Sequence, residues 1–394
     1  MRILVLCTFP ADTPRHGGQI RLRNIIDKYK ALGHEVVSAG VLGSGSYPNS
    51  EYYIEYPKRE IVSVLKQSFC MEDYAIGKLL ATDDAWYLKL VKKFPWVPDV
   101  IHVELPWLFE FAERYVKKIG KKIPIIYGSE NIEYKLKYSI LSNFLPNFES
   151  KQCSRLVRDT ELYAVKKSNS CIAVSENDFQ WLIENTSAPV YLAPNGVSSR
   201  DITLEGEAEF TKLKLPHKYA LYCASAHLPN VTGFYDIFEP ALACIDPDQR
   251  LVVVGSCGSQ IQNDARFSKI PCLSHRTLLL DEVSDDLLAS LISHAHCIIL
   301  PITSGGGTNL KTAEAIWAGC HIVGTQIAFR GFEEFQLSQG VKVAKTSKEF
   351  RQLVRSAMSS QQNMCNPEDR ESRRKVLWSE CLQSLETCLN SMRG

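Results

Sequence analysis

The thirteen cysteines, spread from Cys7 to Cys388, contain no Cys-x-x-Cys pair, so zinc ribbons and thioredoxin-like redox motifs find no support. An odd number scattered over 394 residues is no disulfide framework either. Cys171, Cys223 and Cys297 sit inside apolar, strand-like runs, where a reduced cysteine packs as a small hydrophobe. Charge of one sign is also lacking: 45 Lys+Arg against 44 Asp+Glu leave a net charge of +1. Chains that coat nucleic acid carry a basic excess, so no nucleic-acid partner is expected. No stretch approaches the roughly 20 apolar residues that span a bilayer. The opening MRILVLCTFPAD breaks off too soon to read as a signal peptide, and the expectation is a cytoplasmic protein. Neither GxGxxG nor GxxxxGK[ST] occurs, which counts against dehydrogenases and P-loop enzymes. The absence of GxSxG removes the serine-elbow hydrolases.

What the sequence has is 45% hydrophobic residues in short runs, each followed by a Gly- or Pro-bearing turn and a segment of helical periodicity. That alternation predicts βαβ units and parallel sheets, an α/β fold. Candidate strands in the first half are 3–7, 36–41, 100–103, 123–127, 171–174 and 190–193. A second series runs through 219–223, 251–254, 277–280, 297–300, 321–324 and 341–344. Leu22, Ile25, Ile26, Tyr29 and Leu32 mark one face of the first helix, which Gly33 should end. The polar stretch 198–216 lacks a strand pattern. The expected domains are therefore 1–200 and 217–366, with a linker over 201–216 and a helical segment over 367–394.

Ligands of open parallel sheets collect where strands end, so the turns there carry the chemistry. The first such turn, TFPADTPRHGGQ, closes on Gly17-Gly18, a pair that lets backbone approach an anion. The strongest signal is LPITSGGGTNLKTAEAIWAG, residues 300–319. A buried strand leads into Gly305-Gly306-Gly307, then a helix from about Thr308 that Gly319 should cap. Three glycines expose amides suited to a diphosphate. Lys311 and Glu314, three apart on one helix face, suit phosphate and ribose hydroxyls, although an ordinary ion pair has the same spacing. Asp246-Pro247-Asp248 reads as a turn, and His294-Ala295-His296 lacks partners of metal-ligand spacing, so no metal site is expected.

The run KYALYCASAHLPN, RLVVVGS, LLLDEVSDDLLASLISHAHCIILP and GGGTNLKTAEAIWAGCHIVGTQIAFRGF resembles the nucleotide-binding domain of retaining GT-B-fold glycosyltransferases. It is similar to the group containing sucrose synthases and bacterial mannosyl- and glucosyltransferases of surface polysaccharides. In the first half, HGGQIRLRNIIDKYKALGHEV, PDVIHVELPW, IPIIYGSENIEYKLK, SNSCIAVSEND and VYLAPNGV follow the order found in that family. The resemblance implies two Rossmann-like domains facing a cleft, a C-terminal helix returning to the first, a donor sugar nucleotide on the second and a glycan or lipid-linked acceptor on the first. It implies transfer with retention, no obligatory metal and no cofactor beyond the nucleotide sugar. By the same likeness Gly17 and Gly18 approach the donor, Lys311 stabilises the leaving diphosphate, Thr308 and Asn309 with the glycine loop bind it, and Glu314 holds ribose.

Three positions depart from the common pattern. Gly306 stands where many members carry a Glu that touches the sugar, a substitution that marks a Gly-rich subgroup with the downstream Lys. Glu130 stands where a His is expected, and His227 where an Arg or Lys is common. Lys311 and Glu130 are the candidate catalytic residues, His227 a candidate donor contact, and His102, Glu104 and Trp107 candidate acceptor contacts. Two rival readings remain, a sugar-nucleotide epimerase and a non-catalytic nucleotide-sugar-binding subunit. Residues 61–69, or Lys117, Lys118, Lys121 and Lys122, offer a weak peripheral membrane contact.

Overall fold

Parallel strands cannot be joined by tight hairpins, and each pair needs a crossover that a helix usually supplies. The computed structural model describes residues 1–394 apart from 13, 15, 44–46, 48–49, 65–68, 240, 271, 305–307, 364 and 393–394, and apart from the side chains of 62–64 and 69. The first series gives β1 (Arg2–Cys7), β2 (Glu35–Val41), β3 (Tyr53–Ile54), β4 (Val100–Glu104), β5 (Ile125–Gly128), β6 (Ser170–Ala173) and β7 (Val190–Leu192). They form one parallel sheet in the order β3-β2-β1-β4-β5-β6-β7. The second gives β8 (Tyr219–Cys223), β9 (Arg250–Val254), β10 (Thr277–Leu280), β11 (Cys297–Leu300), β12 (His321–Thr325) and β13 (Val341–Ala344). Their sheet, also parallel, has the order β10-β9-β8-β11-β12-β13. Each sheet carries helices on its faces, so the protein consists of two Rossmann-like units. In each, the strand order reverses once, between β1 and β4 and between β8 and β11. Crevices for ligands open at such reversals.

Every strand expected from the sequence is present, and β3, two residues long, is additional. The first helix runs Gly17–Ala31 and passes into Gly33, whose φ of 79° is the left-handed turn a glycine makes at least cost. The unit boundaries differ from the expected ones. One unit comprises Met1–Pro194 with Leu382–Gly394, and the other Asn195–Cys381. Residues 201–216 are no free linker, because Leu204–Lys212 is a helix packed on the helix Asp285–His294. A Cβ on Gly206 would lie 2.4 Å from the Asp286 carbonyl oxygen. Its polar residues bond across that contact, Thr203 Oγ1 to Asp286 Oδ1 at 2.9 Å and Ser284 Oγ to Glu209 Oε2 at 3.0 Å, which is why the segment lacks an apolar stripe. The segment 367–394 is broken too. Val197 forms an isolated parallel bridge with Leu377, its N–H donating to Val376 O at 2.8 Å and its carbonyl accepting from Trp378 N at 3.1 Å. Those backbone groups are withdrawn from any continuous helix. The last helix, Ser384–Ser391, belongs to the first unit, where Ser384 Oγ donates to Leu192 O at 2.7 Å.

No disulfide joins any of the thirteen cysteines. Among the described residues no helix is long and apolar enough to cross a membrane. Lys117 and Lys118 fall in the last turn of the helix Phe109–Ile119, where cations complement the helix dipole, and Gly120 caps it at φ 71°. Residues 65–68, and the side chains of 62–64 and 69, lie outside the residues described.

The first sheet is pinned by a buried polar chain. Arg21, 1% exposed, donates from Nε to Glu104 Oε1 at 3.1 Å and from Nη1 to Ala193 O at 2.8 Å. Glu104 Oε2 lies 2.7 Å from His102 Nε2, and His102 Nδ1 lies 2.9 Å from the Tyr29 hydroxyl. A Cβ on Gly128 would fall 2.1 Å from Glu104 Oε2, so glycine there makes room for the pair. Burial works to raise the Glu104 carboxyl, but the His102 hydrogen bond and the Arg21 charge outweigh it and hold it below the usual range. Removing one partner of such a pair strands the other in the core. Glu104→Ala should therefore cost about 3–5 kcal/mol in urea unfolding, and Arg21→Met combined with Glu104→Leu should cost less. A loss from the single change no larger than that of an exposed carboxylate would show the chain to be dispensable.

Candidate functional site

In the second unit the site grows from one close approach. The helix Leu228–Phe238 crosses the chain leaving β11 so tightly that a Cβ on Gly233 would stand 2.1 Å from the Pro301 carbonyl oxygen. One turn earlier Asn230, 4% exposed, is held by Nδ2 donating to Ser225 O at 2.9 Å. Its Oδ1 is thereby presented to Lys311, whose Nζ donates to it at 2.6 Å. This contact brings the loop after β8 and the loop after β11 together at the strand reversal. Burial pushes the Lys311 amine down to about 8, against weaker opposing effects of Cys257, Cys223 and Glu314. Its hydrogen-bond partner is a neutral amide, and among the described residues this desolvated amine forms no ion pair.

The helix expected from Thr308 begins at Leu310 and runs to Ala318, with Gly319 at φ 79° as its cap. Asn309 is its N-cap residue but makes no capping bond, and its Nδ2 is sealed from solvent without a hydrogen-bond partner. Thr308 Oγ1 accepts from Asn195 Nδ2 at 2.8 Å. Gly305, Gly306 and Gly307 lie outside the described residues. Lys311 and Glu314 do not pair with each other. Glu314 Oε1 instead accepts from Arg200 Nη1 at 2.7 Å. His227, the residue before the helix Leu228–Phe238, has its imidazole held below the ordinary value by burial and by the Lys311 charge. It thus adds no second cation near neutral pH.

In the first unit the structure brings Gly18 and Glu130 together. A Cβ on Gly18 would lie 2.8 Å from Glu130 Oε2 and 3.2 Å from Phe9 Cζ. Gly17 opens the first helix, which no side chain caps. Glu130 is partly exposed, yet its Oε1 is sealed and without a hydrogen-bond partner. Burial, then Glu104, with Glu133 and Asp73 adding and Arg21 opposing, drives its carboxyl well above the usual range. Behind it Glu161 receives the N–H groups of Glu133 at 2.8 Å and Tyr134 at 3.1 Å, anchoring the helix Glu133–Leu141. The chain leaving β4 turns through Leu105 at φ 65°, a strained conformation for a branched side chain that its N–H bond to Gly128 O, 2.8 Å, helps to hold.

The three expected acceptor contacts are displaced by this arrangement. His102 and Glu104, 0% and 1% exposed, are spent on each other, Arg21 and Tyr29, and so serve the core rather than a ligand. Trp107 is 2% exposed and packs with Met71, Leu105, Leu141 and Val157, with Lys137 Nζ 5.4 Å from its ring centroid. Alternation along a strand cannot separate a buried polar pair from a ligand-facing one, which is why the sequence misled. Asn230, Asn195 and Arg200 escaped notice because each acts across the chain, 81, 113 and 114 residues from its partner. The discounted motifs resolve as structure. Gln249 N bonds Asp246 O at 3.0 Å in a turn, His294 pairs with Glu207 at 3.0 Å, and His296 Nε2 lies 3.0 Å from Ala357 O.

Comparison with known proteins places two family models on the chain, Glycosyltransferase Family 4 over residues 15–200 and Glycosyl transferases group 1 over 217–359. Among curated proteins no sequence matches it. Among solved structures it is similar to sucrose-phosphate synthase from Thermosynechococcus elongatus, with 13% identity, a TM-score of 0.69 and coverage of 100% of this chain and 99% of that one. HepE from Anabaena in complex with UDP-glucose matches at 13% identity and a TM-score of 0.64, covering 99% of this chain and 100% of that one. WaaG, described as a glycosyltransferase involved in lipopolysaccharide biosynthesis, matches at 13% identity and a TM-score of 0.61, covering 98% and 95%. At such identities the likeness speaks for the fold.

The desolvated Lys311 has a measurable signature. Its value in the native state, about 8, is below the ordinary 10.5, so the folded protein binds fewer protons than the unfolded chain between those limits. The charged amine costs stability below about pH 8, and the cost fades as pH rises toward 10.5. Lys311→Met should accordingly raise the thermal midpoint at pH 7, with the gain shrinking across that window. A gain independent of pH, or a loss that does not vary with pH, would show that the amine is not desolvated.

Proposed function

Because this chain belongs to the GT-B-fold glycosyltransferases, we propose that it moves a sugar from a nucleoside-diphosphate sugar to a hydroxyl of a glycan or lipid-linked acceptor, with retention at the anomeric carbon and without a bound metal. The observation that carries the reading is Lys311, a half-buried amine that donates to the neutral Asn230, set at the reversal between β8 and β11 with Glu314 one turn along its helix. A diphosphate supplies the anion this amine lacks, and in its field the amine takes up and keeps a proton. Asn309 Nδ2, without a partner at the start of the same helix, is a further donor for it. Glu314 is placed to accept from ribose hydroxyls.

As the bond from the anomeric carbon to the diphosphate oxygen lengthens, negative charge gathers on the leaving group, and Lys311 stabilises it most when that charge is greatest. The acceptor hydroxyl attacks from the face the diphosphate vacates, forms the new glycosidic bond and passes its proton to the departing phosphate oxygen. Because attack comes on the face the leaving group vacates, configuration is retained without a protein nucleophile. The UDP-glucose bound to HepE supports a uridine carrier as the first to try, and the stated role of WaaG supports a surface glycan as product.

Thermal unfolding of the wild type and Lys311→Ala with UDP, GDP, ADP, CMP and NAD at equal concentrations tests the donor site. A ligand at about 100 times its dissociation constant adds roughly 2.7 kcal/mol to the native state. One nucleoside diphosphate should stabilise the wild type and clearly less the variant, and its sugar conjugate should then be consumed when an acceptor hydroxyl is supplied. Isomerisation of the sugar nucleotide without an acceptor would convert the reading to an epimerase, and binding without turnover to a non-catalytic subunit. No shift with any nucleotide would refute the site itself.

A further inference from the structure

Glu314 is held from outside its own helix. The chain enters the second unit at Asn195, whose Nδ2 donates to Thr308 Oγ1 at 2.8 Å. Gly196 follows, so close to Trp378 that a Cβ would fall 2.8 Å from its backbone nitrogen. Val197 is then clamped on both sides, donating to Val376 O at 2.8 Å and accepting from Trp378 N at 3.1 Å. Three residues further on, Arg200 reaches Glu314 Oε1 at 2.7 Å, with side chains 31% and 21% exposed. The guanidinium is therefore delivered from a fixed backbone onto one oxygen of the carboxylate. Among the described residues, Glu314 Oε2 is bonded to no other group of the protein. The Cys223 thiol at the end of β8 feels the charges of Glu314, Arg200 and Lys311.

An exposed pair of this kind is worth little to stability, and Lys311, three residues before Glu314, would otherwise compete for the carboxylate. The fixed fork of the guanidinium holds the carboxylate in one orientation. An acceptor-only group fixed in place distinguishes a ligand bearing hydroxyl donors from one lacking them. We propose that Arg200 is a positioning residue for ribose recognition: by fixing Glu314 through Oε1 it aims Oε2 at a ribose hydroxyl, and so sets the preference of the site for ribonucleoside over deoxyribonucleoside diphosphates. The inference rests on the donor site described above and adds to it the residue that makes Glu314 selective.

Titration calorimetry of the wild type, Arg200→Ala and Arg200→Lys with UDP, GDP and their 2′-deoxy and 3′-deoxy analogues decides the matter. The wild type should bind a ribonucleotide about tenfold or more tighter than at least one deoxy analogue, the usual worth of a hydrogen bond to a charged group. Arg200→Ala should lose affinity for the ribonucleotide and bring that ratio close to one, leaving the deoxy analogue nearly unaffected. Arg200→Lys should restore part of the ratio. A variant that loses affinity for both forms equally, with an unchanged ratio and an unchanged thermal midpoint, would overturn the assignment. A wild type that binds UDP or GDP with no preference for the ribose form overturns it as well, while the Lys311 site survives. If neither UDP nor GDP binds the wild type, the donor site falls and the inference with it.

Discussion

A strand in a parallel sheet has to be reached from the same edge every time, and this one constraint organises the molecule. Each return path becomes a helix, the helices bury both faces, and the strands turn almost wholly apolar. The polar business of the chain is then left to the turns at the strand ends. Where the order of strands reverses, neighbouring turns diverge and leave a crevice between them. The segment after β11 holds Lys311 and Asn309, and the loop after β5 holds Glu130, groups left with an unsatisfied charge or a sealed polar atom. Chemistry collects there because the rest of each sheet has no room for it.

Within that frame, missing side chains do as much as present ones. Gly233 brings a helix within reach of the Pro301 carbonyl, and that approach sets Asn230 over Lys311. Gly18 leaves space that Glu130 fills, and Gly128 leaves space for the His102–Glu104 pair. In each case a side chain at the glycine would force backbone or a buried carboxylate aside. The energetic result is uneven: the Arg21–Glu104 chain satisfies its charges and rigidifies the first sheet, whereas Lys311 and Glu130, both half-buried, are partly desolvated with little in return. Groups held in that condition are primed for a ligand that completes them.

The sequence showed the twelve main strands because a two-faced buried strand writes itself as a short unbroken apolar run between turn residues. The two-residue β3 left no such run, being Tyr53–Ile54 in a polar loop. Lys311 and Glu314 were legible because loop, helix start and spacing are local. Their partners Asn230 and Arg200 were not, since pairing over 81 and 114 residues leaves no local pattern. The helix Leu204–Lys212 was mistaken for linker for a related reason: its surface bonds through Thr203 and Glu209 to another helix, and polar contacts carry no hydropathy signal. His102 and Glu104 misled in the opposite direction, because polar residues at a strand end look identical whether they face ligand or core.

The order in which the units are written along the chain has its own consequence. The first unit is interrupted: Asn195–Cys381 forms the second, and only afterwards does the chain supply Leu382–Gly394 to the first. That late segment sets Ser384 against Leu192 on β7 and buries Leu385, Cys388 and Leu389. During synthesis β7 leaves the ribosome nearly two hundred residues ahead of the helix that covers it, counting from Leu192 to Ser384. The second unit can therefore complete its core first, while the first waits with an uncovered sheet edge, and an uncovered edge is where strands of other chains pair. Vectorial synthesis thus gives the first unit the longer exposure, until the helix Ser384–Ser391 packs on β7.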